Sequence, residues 1–320
     1  MLNQINTRNS MAQTKIYEYS AFGILIQSEI LLPALSKKTT DSDQNAIYIK
    51  IGKVPENIKN EAPSLNKNIC FSKTEFLFQV PEKIKIYVSN GSLVILETFN
   101  SRLDDVLLYF YSNGLAAALY QRGVIPFHVS GVFLNKNKVL LIAAKSGTGK
   151  STTAINLQEK GYPVFTDDTA ILHKKDNKVF ATASYPMIRL WQKSFENQNL
   201  FDHNQKQRLL QDVEFNKYGF SFHNDFSQKE HEVLGIVFIE IGEEDIEINT
   251  LSKIEVTQQL INNTYRKYLV KGMQMEETQF RLISEIANTI PAYMAKRPIN
   301  KETFGTFAGQ IVSEICKKLV

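Results

Sequence analysis

The chain has 320 residues, 43% of them hydrophobic and 22% charged, ordinary proportions for a globular protein with a sizeable core. Its 37 Lys and Arg against 33 Asp and Glu leave a net charge of only +4, which excludes a protein whose main task is coating nucleic acid. Two cysteines, Cys70 and Cys316, exclude a disulfide scaffold and a cysteine-based zinc site. No apolar run reaches the roughly 18 residues of a membrane span, and the polar opening lacks the apolar core of a signal peptide. The expectation is a soluble, cytoplasmic protein with no nucleic-acid or membrane partner.

Residues 1–14 read as a loose tail. From Tyr17 to Phe99 the pattern is short and strand-like: 21–27, 46–51, 75–80, 84–88 and 93–97 are rich in β-branched and aromatic residues. Asn90-Gly91 is a hairpin signal between the last two. The region reads as a small antiparallel sheet. At Ser101 a hydroxyl cap precedes acidic first-turn residues, and apolar positions then recur at helical spacing until Gly123. Strands at 132–134 and 138–143 flank an Asn-Lys-Asn turn. A helix over about 150–160 and the strand 163–166 follow, the strand–helix–strand unit of a parallel sheet. A hairpin over 171–183 and a buried strand at 234–241 come next. Residues 192–232 are polar and carry no clear period. The remainder, from Ser252, reads as helices over 253–270, 276–290 and 301–319.

Ala144-Lys145-Ser146-Gly147-Thr148-Gly149-Lys150-Ser151 fits the Walker A pattern, with alanine in place of the first glycine. The glycines let the backbone turn tightly with amides aimed at an anion. Lys150 would reach the β- and γ-phosphates of ATP, and the Ser151 hydroxyl would join a Mg²⁺ shell. A strand precedes the loop and a helix, from Thr152 onward, follows it, as phosphate binding at a helix N-terminus requires. In the empty site Lys150 is expected to be exposed.

Asp167 and Asp168 end the next strand, where open α/β sheets bind ligands. One carboxylate can hold Mg²⁺ and the other can accept a proton from an attacking hydroxyl; on their own the pair would read as a solvated turn or helix cap. His128, upstream of the loop, reads on spacing alone as a hydrogen-bonded core or surface histidine. His173, His203, His223 and His231 show no metal-ligand spacing.

Ser146-Gly-Thr-Gly-Lys-Ser-Thr followed by Gly161-Tyr-Pro-Val-Phe-Thr-Asp-Asp resembles the core of the HPr kinase/phosphorylase family, whose fold is shared with ATP-dependent phosphoenolpyruvate carboxykinase. Tyr185-Pro-Met-Ile-Arg-Leu-Trp, Asn263-Thr-Tyr-Arg, Gln279-Phe-Arg-Leu-Ile and Lys296-Arg-Pro are similar to HPr-kinase-like proteins of peptide-modification gene clusters, among them kinases of lasso-peptide precursors. The resemblance covers most of residues 17–320. It implies Asp168 as proton acceptor, His128 as a catalytic partner one residue off the family spacing, nucleotide binding by residues 144–152, and Mg²⁺ on Ser151 with Asp167 and Asp168. The family's magnesium-binding glutamate has no counterpart in Tyr185-Pro-Met-Ile-Arg189, which puts a phosphorylase reaction, and HPr as substrate, in doubt.

These readings give an α/β protein with an HPr-kinase-like P-loop domain (101–250), a small N-terminal β-rich domain (15–100) and a helical C-terminal region (251–320). The expected activity is ATP- and Mg²⁺-dependent phosphorylation of a Ser/Thr hydroxyl on a ribosomal peptide precursor or small protein. Arg189 and Arg266 are candidate partners of the phosphoryl group or of an acidic acceptor. A small-molecule kinase acting on a free amino acid, or a non-catalytic nucleotide-dependent partner in peptide maturation, remains open, as does self-association into a homo-oligomer.

Overall fold

The structure is a computed structural model that describes residues 15–38, 45–59, 68–99, 101–191, 211–212, 217–222, 226–298 and 303–319. The expected tail at 1–14 and much of the polar stretch 192–232 lie outside the described residues.

Eight strands form the first sheet: β1 (Tyr17–Ala21), β2 (Ile24–Ser28), β3 (Ser36–Lys37), β4 (Ile47–Ile51), β5 (Ile69–Phe71), β6 (Glu75–Val80), β7 (Ile84–Ser89) and β8 (Leu93–Thr98), in the order β3-β1-β2-β4-β8-β7-β6-β5. The sheet is mixed, and this corrects the antiparallel expectation, because β4 pairs in parallel with both β2 and β8. Parallel pairing joins segments far apart in sequence, so no local turn signal announces it. The run 21–27, expected as one strand, is broken by Phe22 and Gly23. Their φ values of +55° and +69° make the two-residue primed turn that matches strand twist. Asn90-Gly91 makes the same kind of turn between β7 and β8.

The chain then enters α1 (Leu103–Tyr109), a π-helical turn at Phe110–Gly114, and α2 (Leu115–Gln121). From Phe110 to Tyr120 every side is buried. A helix buried on every side needs cover all round, and here one hydrophobic core runs from the first sheet through this helix into the second sheet. The tip of the β1–β2 hairpin reaches that sheet directly: Phe22 N donates to Ser184 O at 3.0 Å.

The second sheet holds β9 (Pro126–Phe127), β10 (Val129–Asn135), β11 (Lys138–Ala144), β12 (Val164–Thr166), β13 (Ala170–Lys175), β14 (Lys178–Ala183), β18 (Glu230–Gly242), β19 (Glu247–Thr250) and β20 (Ala292–Pro298). Between them in sequence, β15 (Met187–Trp191), β16 (Gln211–Asp212) and β17 (Lys217–Ser221) make a small third sheet. Parallel pairing is confined to β11–β18–β20. The expected β11–helix–β12 unit is corrected in one respect: β10 lies between β11 and β12, antiparallel to both. The C-terminal region is likewise not all helical. Its helices at Lys253–Asn262, Tyr268–Gly272, Glu276–Thr289 and Phe304–Ile311 are interrupted by β20, which docks beside β18.

β11 shows why the centre of the sheet is stable. Val139, Leu141 and Ala143 face the core shared with the first sheet, while Leu140, Ile142 and Ala144 face a second core against α3 (Lys150–Glu159) and the Phe304–Ile311 helix. Side chains alternate along a strand, so an unbroken apolar run is buried on both faces. The ends of the sheet meet. β9 and β10 are one strand bent at His128, and β12 and β13 are one strand bent at Asp167–Thr169. β9 pairs with β13 on one side of the bends, and β10 with β12 on the other.

Candidate functional site

Residues 145–149 connect β11 to α3. Gly147 and Gly149 have φ of +85° and +108°, and Thr148 N donates back to Lys145 O at 3.1 Å. The φ of +108° at Gly149 lies beyond the left-handed well that Asn and Asp reach, so glycine is required there. α3 begins at Lys150, and its first turn meets the bend at Asp167–Thr169 through the Lys150 and Ser151 side chains.

Lys150 corrects the expectation of an exposed lysine: it is 6% exposed. Its ammonium lies 3.1 Å from Ser130 Oγ and 3.5 Å from Asp167 Oδ1. A buried cation needs an anion and hydrogen bonds, and Asp167 supplies the charge. Asp167, itself 1% exposed, accepts from Ser151 Oγ at 2.8 Å, from Ser130 Oγ, and at its other oxygen from Arg189 N at 2.9 Å. The pair Ser151 and Asp167 offers hard oxygens at a helix N-terminus, which fits a Mg²⁺ ion whose remaining ligands are water and phosphate. Among the described residues no three His, Cys, Asp or Glu side chains gather to hold a metal by themselves.

Asp168 turns the other way. Its φ is +69°, and Thr169 N donates across it to Asp167 O at 2.9 Å, the bonding of a γ-turn with a positive central φ, a rare and strained form. The turn rotates consecutive side chains into different surroundings. The Asp168 carboxylate lies 3.6 Å from Arg189 Nη1 and 3.6 Å from His128 Nδ1, and accepts from Tyr265 Oη at 3.5 Å. Burial opposes its charge, but Arg189, with His128, Lys150 and Arg266, outweighs burial and holds the carboxyl well below the usual carboxylate range. Arg189 also donates from Nη2 to Tyr185 Oη at 3.3 Å.

His128 Nδ1 sits 2.9 Å from the backbone carbonyl of Asp168. A carbonyl can only accept, so Nδ1 carries the proton and Nε2 is left as the acceptor. Burial, and then Lys150, push the His128 pKa down to about 4, so the ring is neutral near pH 7. The segment after the Lys253–Asn262 helix holds this corner in place: His128 N donates to Asn263 O at 2.7 Å and Tyr265 N to Pro126 O at 2.9 Å. The Tyr265 ring stacks on His128 with centroids 5.8 Å apart. Arg266, at φ +51°, donates from Nε to Ser112 O in the π-helical turn at 3.1 Å.

The structure thus brings Lys150, Ser151 and Asp167 into one cluster and His128, Asp168 and Arg189 into another. Sequence reading missed Ser130 and gave no role to Tyr265. Ser130 was recoverable, because it follows His128 by two along a strand and shares its face. Tyr265 arrives from 97 positions beyond Asp168, and no local pattern marks it.

No family model matches the chain, and no curated protein matches it. Among solved structures it is similar to the Hpr(Ser) kinase/phosphatase from Coxiella burnetii, at 13% identity and a TM-score of 0.33, over 60% of this chain and 97% of that one. A likeness that loose carries no argument, and the functional reading rests on the site. Among the described residues no helix is long and apolar enough to cross a membrane.

Proposed function

We propose that the protein is an ATP- and Mg²⁺-dependent phosphotransferase that moves the γ-phosphoryl group to a Ser or Thr hydroxyl of a ribosomal peptide precursor or small protein. The observation that carries this reading is the division of the aspartate pair. Asp167 is tied to Lys150 and Ser151 at the glycine-rich loop, whereas Asp168, with 15% of its side chain exposed, faces His128 and Arg189.

In this reading the amides of residues 145–151 hold the polyphosphate, and Lys150 leaves Asp167 to meet the β- and γ-phosphates. Ser151 and Asp167 would hold Mg²⁺ together with the nucleotide, and the ion would supply neutralisation of the phosphate charge. Asp168 accepts the hydrogen bond of the acceptor hydroxyl and orients it. Its carboxyl, held below the usual carboxylate range, is ionised at physiological pH and is free to take the hydroxyl proton as transfer proceeds. Arg189 lies within reach of both aspartates and supplies a cation where the transferring group carries its charge. The peptide nature of the acceptor is supported by the sequence resemblance alone.

The test is mass spectrometry of Ser- and Thr-containing precursor peptides after incubation with protein, Mg²⁺ and ATP. A gain of one phosphate on a peptide, absent with Asp168→Asn, is expected. Phosphate gain on a free amino acid and on no peptide would favour the small-molecule alternative. Nucleotide binding without transfer to any acceptor would favour the binding module.

A further inference from the structure

A second cation stands at the loop. Arg297, near the end of β20, donates from Nε to Thr148 O at 3.0 Å. A Cβ built on Gly149 would meet the Arg297 guanidinium first, with Nε and Nη2 both 3.6 Å away. Arg297 is partly buried, and burial lowers its pKa. Among the described residues it has no carboxylate partner. A guanidinium taken partly out of water without a counter-ion is costly unless its bonds do something specific.

The peptide unit shows what that is. The carbonyl of Thr148 and the N–H of Gly149 belong to one planar trans peptide, so they point in opposite directions. Pinning the carbonyl outward on Arg297 turns the Gly149 N–H inward, toward the space an anion would occupy. The cation also polarises the peptide and makes that N–H a stronger donor. Gly149 has φ +108°, a conformation open to glycine, and its own carbonyl accepts from Thr153 N at 2.8 Å.

We infer that Arg297 is a positioning residue of the phosphate site: acting through the 148–149 peptide, it presets the Gly149 amide for the nucleotide's polyphosphate. This rests on the nucleotide-binding reading above. It also gives β20 a reason to end beside the loop, since Arg297 pairs with Ile241 near the end of the β18–β20 ladder.

The test is calorimetric titration with MgATP, MgADP and inorganic pyrophosphate, the last because it presents phosphates without a nucleoside. Arg297→Met should weaken all three by about tenfold, the effect of one well-placed charge-assisted bond, while kcat at saturating MgATP changes less than threefold. Arg297→Lys, which can still reach the carbonyl, should stay within about threefold of wild type. The unliganded melting temperature should barely move, since neither core contains Arg297. If Arg297→Met fails to fold, Arg297→Lys and Arg297→Gln decide: a tenfold loss in Gln alone supports the role, and wild-type affinity in both overturns it. Wild-type affinity in a folded Arg297→Met also overturns it, and leaves the phosphotransferase reading standing. A wild-type protein that binds none of the three ligands removes both.

Discussion

Asp167 and Asp168 are adjacent in the chain and unlike in every physical respect. Asp167 is sealed among two serine hydroxyls, a lysine and a backbone amide. Asp168 is partly open and lies among an arginine, a histidine and a tyrosine. One γ-turn makes the difference. Two carboxylates a single residue apart repel when they share a space, and the positive φ at Asp168 separates them into distinct settings. A strained backbone conformation at such a place is where a functional constraint is expected to show. One carboxylate is therefore suited to a cation and a metal at the loop, and the other to whatever approaches from solvent.

The largest effect should come from Lys150→Ala, which attacks the Asp167 side. Transfer should be abolished, because the side chain that cancels phosphate charge is gone. The folded state should also weaken, because Lys150 is buried on Asp167. Removing one partner of a buried pair costs roughly 3–5 kcal/mol. The loss should fall at the low end of that range, since Asp167 keeps Ser130, Ser151 and Arg189 N as donors. Chemical denaturation checks this, and an unchanged midpoint would mean that the buried pair contributes nothing.

Asp168→Asn attacks the other side and should behave differently. Asparagine tolerates positive φ, so the turn should survive, while the melting temperature should drop because the ionised carboxylate no longer draws stability from Arg189. MgATP affinity should stay within about twofold, while turnover falls by roughly 10²–10⁴-fold, the span typical of a lost general base. A fall under tenfold would assign Asp168 to orientation alone. Equal loss of affinity and turnover would mean that the two aspartates act as one site.

Arg189→Met sharpens the contrast with a smaller effect. Its backbone N–H still serves Asp167, but its charge no longer holds Asp168 ionised. The pKa of Asp168 should rise by about one to three pH units, so an acid limb should enter the pH–rate profile from below as pH falls. Wild type should stay flat across the same range.

Some of this was legible in sequence. The loop between β11 and α3 announces itself because glycine spacing, a preceding apolar run and a following helix are all local. The aspartate pair is legible for the same reason. What pairs with what is not. β18 lies beside β11 although 85 residues separate Ala144 from the start of β18; β20 with Arg297 reaches the site by pairing with β18, and Tyr265 by its bonds at Pro126 and His128. Burial of Lys150 was misjudged because Ser130, on β10 two residues past the bend at His128, and Asp167 close over it only in the assembled sheet. That bend forms only when the ends of the sheet meet.

The smallest effect concerns that bend. His128 titrates at about 4 in the folded protein and near 6.5 in an unfolded chain. Between those values the unfolded chain takes up a proton that the folded protein refuses, so stability falls as pH falls from about 6.5 to 4. Asp168 pulls the same way but in a lower window, below its unfolded value near 3.9, because its folded pKa is depressed. The windows do not overlap much, so the two contributions can be separated. His128→Gln should be less stable than wild type at pH 7 by about 1 kcal/mol, for the lost hydrogen bond to Asp168 O. Between pH 6.5 and 4.5 its melting temperature should then fall less steeply than wild type, and the gap should narrow. Parallel curves would mean that His128 takes up its proton equally in both states. The neutral ring, and with it Nε2 as a hydrogen-bond acceptor, would then have to be abandoned.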